Sequence, residues 1–237
     1  MHRLGFAAED IPELAARLAQ LPALRVSSIF SHFAASDEGE PKRAFTEGQY
    51  RYLLGDAEEL SQRLGYRPRY HILNTAGIER YPEYALDMAR LGLGLYGISP
   101  TQLPGTTPIA RLSTIILQLR ELPAGECVGY GCRGLTQRPA RIAVIPIGYA
   151  DGFSRRLSNG AYAVSVHGVL CPTIGNVCMD ACMIDVTEVP EVAEGDEVLI
   201  FGEEPRPIQA LSAALDTIPY EVLTTLSPRI QRRSWRE

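Results

Sequence analysis

The sequence predicts an α/β segment followed by an all-β domain, and three observations lead there. Up to about residue 105, helix-like and strand-like runs alternate, the pattern of parallel βα units. A break rich in Pro, Gly and Thr, "SPTQLPGTTP", follows. Beyond it come short β runs separated by turn residues. The expected domains are residues 1–105 and 106–237.

The elements follow in chain order. "MHRLGFAAEDIPELAARLAQLP" reads as a short strand end and then a helix. Asp10 and Glu13 form a candidate capping box, Pro12 sits in the first turn, and Ile11, Leu14, Leu18 and Leu21 fall on one face. "RVSSIFSHFAAS" is a β-rich run, Phe45 to about Leu64 a helix, and "RYHILNTAG" a strand ending in Asn-Thr-Ala-Gly. "LDMARLGLGLYGISP" predicts another strand and a glycine-rich turn. The second domain's strands are expected in "IARLSTIILQLREL", "ARIAVIPIGYADG", "AYAVSVHGVLCPTIG", "ACMIDVTEV" and "GDEVLIFG", with one helix near "PIQALSAAL". A complete (β/α)8 barrel takes roughly 250 residues. At ~30 residues per βα unit, the first segment holds about three or four. If it is a barrel, its first half is absent.

Composition narrows the function. The net charge of −5 advertises no basic face for nucleic acid or an anionic membrane. No stretch approaches the ~20 apolar residues of a membrane span, and the acidic N-terminal run does not read as a signal peptide. A cytoplasmic protein without nucleic-acid or membrane partners is expected. The five cysteines are odd in number and sit in a chain large enough to need no staples, so reduced thiols are expected. Cys178 and Cys182, spaced C-x3-C in an alternating run, lack a following His/Cys pair at zinc spacing and read as buried structural thiols. No metal site is expected.

Polar residues gather at strand ends, where parallel α/β folds bind ligands. His32 closes "IFSHF", and Asn74 and Thr75 close "HILNT". Such a histidine faces a ligand or is simply satisfied in the fold. Thr75, beside glycine-rich backbone, suits phosphate oxygens. Gly92, Gly94 and Gly97 serve either a ligand or turn geometry, and Arg90 before them faces a ligand or forms a surface pair. Tyr130, flanked by glycines in "GYGCRG", is a candidate general acid/base, or a turn tyrosine packed on a neighbouring strand.

Taken together, "MHRLGF", "SHFAASDE", "NTAG", "MARLGLGLYG", "VGYGCRG", "IPIGYADGFSRRL", "GNVCMDACMIDV" and "IPYEVLTTLSPRI" occur in one order that closely resembles the alanine racemases, from Met1 to nearly the last residue. The resemblance implies the C-terminal part of a barrel binding pyridoxal 5'-phosphate (PLP), followed by a β-strand domain. It implies a homodimer whose active sites combine one subunit's barrel with the other's β domain. The implied activity interconverts L- and D-alanine by two-base chemistry, supplying D-alanine for peptidoglycan. Tyr130 then serves one face of the substrate's α-carbon, and a PLP-bearing lysine serves the other. Arg90 faces the pyridine nitrogen, with His32 beside the ring. Asn74 and Thr75 belong to the cofactor site, Gly92 and Leu93 bring backbone to the phosphate, and Tyr149 adds a contact. Arg3 and the backbone of Met179 hold the substrate carboxylate, and Asp180 belongs to the substrate site. Tyr220 stands at an inner gate, with Asp37, Arg155 and Ile218 further out, and Asn176 replaces an arginine common there.

Of the 23 basic residues, only Lys42 is a lysine. It lies in the charged run "DEGEPKRA" and reads as a solvated surface residue. The family's lysine motif has no counterpart here, so the resemblance implies a chain starting mid-barrel. Two other readings stay open: a non-catalytic partner donating its β domain, and a racemase of another amino acid such as serine.

Overall fold

The computed structural model describes residues 1–234, and the chain forms two compact units, Met1–Thr107 and Pro108–Glu237. Each is described by itself.

The first unit is α/β. Helix α1 (Ile11–Ala19) begins with Pro12 in its first turn. Asp10 does not cap it. Its carboxylate instead accepts the Ala7 N–H at 2.8 Å, closing the 3-10 turn that precedes α1, so the expected capping box does not form there. Strands β1 (Ser28–Phe30) and β2 (Arg69–His71) pair in parallel, with Phe30 opposite His71. Between them runs α2 (Arg43–Leu64), entered through a 3-10 turn at Glu40–Lys42 and ended by Gly65 in the left-handed conformation. Its Leu53, Ala57 and Leu60 share one buried face. Leu53 and Ala57 pack with Phe33, Tyr70, Ile72 and Leu73 into the unit's core.

Two expected strands shrink. The run "RYHILNTAG" is strand only to His71, because Asn74 caps the short helix α3 (Thr75–Arg80). Beyond it, "LDMARLG" makes a single parallel bridge, His71 to Met88. The reason is local. Asp87 takes the Tyr70 N–H with its carboxylate at 2.7 Å, while its own N–H donates to the Tyr70 carbonyl. A side chain thus occupies a ladder position that backbone would otherwise fill. The described residues form a two-stranded sheet here and no closed barrel.

The second unit is built on sheets. β3 (Leu112–Ile115), β11 (Glu197–Phe201), β8 (Ala163–Val166) and β9 (Val169–Pro172) make a four-stranded antiparallel sheet in that spatial order. β10 (Cys182–Asp185), β7 (Ala140–Ile145) and β4 (Gln118–Leu122) make a three-stranded one. The run "IARLSTIILQLREL" is therefore two strands in different sheets. A small hairpin pairs β5 (Cys127–Val128) with β6 (Gly134–Leu135). Alternating residues such as Ile142, Val164, Val166, Ile184, Val198 and Ile200 are buried. Helices α4 (Ile208–Ala214) and α5 (Pro219–Thr225) follow β11. The expected strand through Cys178 begins only at Cys182, because the Cys178 N–H turns back to the Ala181 carbonyl at 2.9 Å. Cys182 is buried and Cys178 half-buried.

Arg111 staples β3 to β11. Two of its nitrogens reach the two oxygens of Glu197 at 2.6 and 2.7 Å, and its Nε reaches Glu203 at 3.0 Å. The hydrogen bonds from Arg111 pull the Glu197 carboxyl from 4.5 down to about 2. As pH falls, the unfolded chain therefore takes up this proton first. The pair's stabilisation is present above 4.5 and is lost as pH falls towards about 2. Because Glu197 is largely exposed, its contribution is no more than about 1 kcal/mol. Thermal melts should show Glu197→Gln less stable than the parent at neutral pH, the gap closing through that acid window.

Candidate functional site

In the first unit, one guanidinium gathers the ends of the parallel strands. Arg90 Nη2 donates to the Ser31 carbonyl at 2.6 Å and to the Ile72 carbonyl at 3.3 Å. The same nitrogen lies 3.2 Å from His32 Nδ1, and Nη1 donates to His71 Nδ1. Each terminal nitrogen is thus engaged, and Nε–H and one Nη1–H are left to donate. An arginine donates only, so both histidines present a bare Nδ1 to it. Burial, then the charges of Arg90 and Arg3, push the His32 pKa below its ordinary value. Burial, then Arg90 and Arg69, do the same for His71. Both rings are neutral at pH 7. Phe30 stacks on His71 with ring centres 5.0 Å apart and planes 7° apart, and the guanidinium lies 5.2 Å from the Phe30 ring centre.

The second histidine is the residue the sequence reading leaves out. His71 ends β2 at the position paired with Phe30, two residues before His32 in β1's continuation. A histidine ending a strand in "RYHILN" carries the same signal as His32, and it becomes informative only once the strands are seen as neighbours.

Beside this cluster, Asn74 and Thr75 take different tasks. Asn74 Oδ1 accepts from Gly77 N–H at 2.9 Å and from Ser36 Oγ at 2.8 Å, which caps α3 and ties it to the loop after β1. Thr75 Oγ1, buried, accepts from Gly92 N–H at 2.9 Å and from Gly94 N–H at 3.5 Å. Its own hydroxyl proton is left to donate. Leu93, buried, opens the 3-10 turn Leu93–Tyr96. Arg3 and Asp37 are exposed. Arg3 lies close enough to His32 for its charge to act there. Lys42 is exposed on the turn ahead of α2.

In the second unit, Tyr130, Tyr149, Arg155, Met179 and Asp180 line one cleft of about 570 Å³. Its floor is two turns held together by backbone. Tyr149 N–H donates to the Cys178 carbonyl at 3.0 Å, and Ala150 N–H to the Met179 carbonyl at 3.1 Å. Gly148 is required by this approach, since a Cβ there would fall inside both carbonyl oxygens. Asp151 closes the first turn on Gly148 N–H at 2.9 Å. Arg229 then spans the two turns, donating from Nε to Asp151 and from Nη2 to Asp180, both at 2.6 Å. Burial raises the Asp151 pKa, but the hydrogen bonds from Arg229 and Gly148 and the arginine's charge outweigh it. The carboxyl lies below its ordinary value.

Tyr130 stands 74% exposed on the turn of the β5–β6 hairpin, its carbonyl held by Asn176 Nδ2 at 3.1 Å. Tyr220, on the first turn of α5, is not in the cleft lining. A second cavity of about 380 Å³ lies between the Tyr149–Arg156 segment and α5, and Arg155 lines both. Ile218, exposed, precedes α5. Among the described residues no group of His, Cys, Asp and Glu could hold a metal, and no helix is long and apolar enough to cross a membrane.

Two outcomes follow for the cleft floor. Gly148→Ala should cost about 1–3 kcal/mol, because the added methyl must part the two turns. Urea unfolding at neutral pH measures it, and an unchanged midpoint would contradict the packing described. Arg229→Gln leaves the Asp151 carboxylate without its cation, and should lower the midpoint in the same measurement.

Comparison with known proteins gives the family. Residues 1–100 match the family model described as alanine racemase, N-terminal domain, and residues 109–234 match alanine racemase, C-terminal domain. The alanine racemase of Desulfovibrio desulfuricans is 37% identical over 98% of this chain and 63% of its own length. The biosynthetic alanine racemase of Pseudomonas aeruginosa superposes with a TM-score of 0.83 at 33% identity, over 98% of this chain and 64% of that one. The Bartonella henselae alanine racemase, solved with covalently bound pyridoxal phosphate, superposes with a TM-score of 0.84 at 28% identity, over 98% and 63%. This chain therefore spans a little under two thirds of the length of its relatives. With an α/β unit, a β unit and both family models matched in order, the chain belongs to the alanine racemase family.

Proposed function

We propose that this chain acts in the interconversion of L- and D-alanine with PLP, residues 1–105 forming part of the cofactor barrel and residues 106–237 the β domain. The observation that carries the reading is Arg90. Its terminal nitrogens are fixed by two carbonyls and two neutral histidines, and its Nε–H remains to meet a ring nitrogen that can only accept. That donor fits the pyridine of PLP. The Thr75 hydroxyl, with backbone of Gly92 and Leu93 beside it, fits the phosphate, and Asn74 holds the helix that carries Thr75. Tyr149 adds a contact from the β domain.

Bound PLP supplies an electron sink for negative charge at the substrate's α-carbon. The residues of this chain supply the rest. Arg90 donates a hydrogen bond without surrendering its proton, since arginine stays charged even where burial lowers its pKa. His32 and His71, neutral beside it, hold the guanidinium and bring no proton to the ring. The Tyr130 phenol moves the α-proton on one face. Arg3 and the Met179–Asp180 turn hold the substrate carboxylate, Arg229 fixing that turn, and Tyr220 limits access. Inversion needs a second base on the other face. Lys42, exposed ahead of α2, is not assigned that role. The exposure of Tyr130 suits delivery to a second subunit's site in a cytoplasmic homodimer, with D-alanine supplied for peptidoglycan.

The test is the rate of D-alanine formation from L-alanine by the native protein with PLP. Tyr130→Phe should lower that rate by about 10²–10⁴-fold, the usual worth of a general acid/base. A rate unchanged by the substitution overturns the role of Tyr130, and no D-alanine from the parent overturns the activity. Borohydride reduction followed by peptide mapping should place no phosphopyridoxyl group on Lys42. An adduct there overturns the account of that residue.

A further inference from the structure

Helix α3 carries Thr75 at its first residue and Glu79 one turn later. Thr75 meets the Gly92–Gly94 backbone. Glu79 has no part in the function above, yet one of its carboxylate oxygens takes three donors. Glu79 Oε2 accepts from Ser99 Oγ at 2.9 Å, from Thr101 Oγ1 at 2.5 Å and from Thr101 N–H at 3.2 Å. Ser99 Oγ in turn accepts from Leu103 N–H at 2.7 Å. Glu79, Ser99 and Thr101 are all half-buried.

One short helix therefore holds a loop at both ends. The loop begins at Gly92 and makes the 3-10 turn Leu93–Tyr96. It leaves that turn through Gly97 at φ 66°, and the Ile98 N–H closes on the Leu93 carbonyl at 3.2 Å. Leu93 and Ile98 are both buried. A hydroxyl of α3 fastens the start of this closed turn, and a carboxylate of α3 fastens the chain just beyond it.

The two fastenings differ in what a ligand does to them. Thr75 Oγ1 accepts the Gly92 N–H at 2.9 Å. A phosphate placed against Thr75 and Gly92 competes for that same N–H. The amide has one proton to give, so its bond to phosphate forms at the expense of its bond to Thr75. The start of the loop is thereby released as the ligand arrives. Glu79 makes no such exchange, because its donors are Ser99 and Thr101, and neither is assigned to the phosphate.

We propose that Glu79 is a positioning residue for the phosphate seat, which rests on assigning Thr75 and Gly92 to the phosphate. It keeps the Gly92–Gly94 turn in place against α3 while the Gly92 N–H passes from the hydroxyl to the ligand. Without it, the ligand must order the loop itself, and that ordering subtracts from binding. Glu79 acts here as an acceptor, so the side-chain oxygen of a glutamine can take its place.

The experiment measures binding of pyridoxine 5'-phosphate and of pyridoxine to the full chain by equilibrium dialysis. Neither carries an aldehyde, so neither needs a lysine, and only the phosphate distinguishes them. Glu79→Ala should weaken pyridoxine 5'-phosphate by about tenfold or more, the worth of hydrogen bonds to a charged group, and leave pyridoxine unchanged. Glu79→Gln should keep the parent's preference for the phosphate ligand. Thr101→Val removes one donor and should reduce that preference too, which keeps the role testable should Glu79→Ala fail to fold. Equal losses for both ligands are the mark of a merely structural residue and overturn the proposal. So does a Glu79→Gln that binds as poorly as the alanine variant. A parent that prefers the phosphate ligand, with variants that keep that preference, overturns the role of Glu79 alone. A parent without that preference overturns the assignment of Thr75 and Gly92 to the phosphate, and the role of Glu79 with it.

Discussion

A single guanidinium sets the geometry of the α/β unit's polar centre. Two parallel strands of three residues each make few ladder bonds, and nothing in so short a sheet determines where the chain goes after each strand ends. Arg90 supplies that determination. By donating to the carbonyls of Ser31 and Ile72 it joins the exits of β1 and β2. By taking both histidine Nδ1 atoms it fixes two rings as well. The charge is tolerable there because several oriented acceptors replace the water it has lost, and Phe30 offers its ring face to the same cation. The histidines in turn are kept neutral by burial first and by the arginine's charge second. The cluster is therefore self-consistent: an arginine that stays charged beside imidazoles that do not.

The β unit solves a different problem by close approach. The turns at Gly148–Asp151 and Cys178–Ala181 come from distant parts of the sequence, and backbone hydrogen bonds lock them face to face. Such contact leaves no room for a side chain, so Gly148 is a steric requirement. Gly152 is a second case: its φ of 101° and the Thr225 carbonyl 2.6 Å from where a Cβ would stand exclude other residues. The Arg229 bridge then ties both turns to the C-terminal segment. The cleft bearing Tyr130, Tyr149 and Met179 is thus a rigid floor with an exposed phenol at its edge. This is the arrangement expected of a surface that completes a site supplied elsewhere, which accords with the proposed sharing between subunits.

Much of this was legible beforehand, for physical reasons. Alternation of period two and interrupted glycine-rich turns marked the β unit, because a half-buried strand must alternate. The helix expected from Phe45 to about Leu64 is α2, which starts two residues earlier, at Arg43, after the 3-10 turn through Pro41. The run after Tyr84 read as a strand and is a single bridge. Asp87 replaced a backbone partner with its carboxylate, and no local pattern records which acceptor a distant N–H will choose. Asp10 shows the same competition at a helix start, where its carboxylate turned back to Ala7.

The sequence by itself determined the class of fold, the order of the motifs and the residue types that gather at strand ends, because these depend on periodicity and local chemistry. It also placed its lone lysine in a charged run, and that residue is exposed in the fold. Only the tertiary structure decided which of these residues meet. His71 joined Arg90 because β1 and β2 are neighbours in register. Asp151 met Arg229 across 78 residues. Such contacts depend on where the chain returns in space, and that is settled by burial summed over whole units.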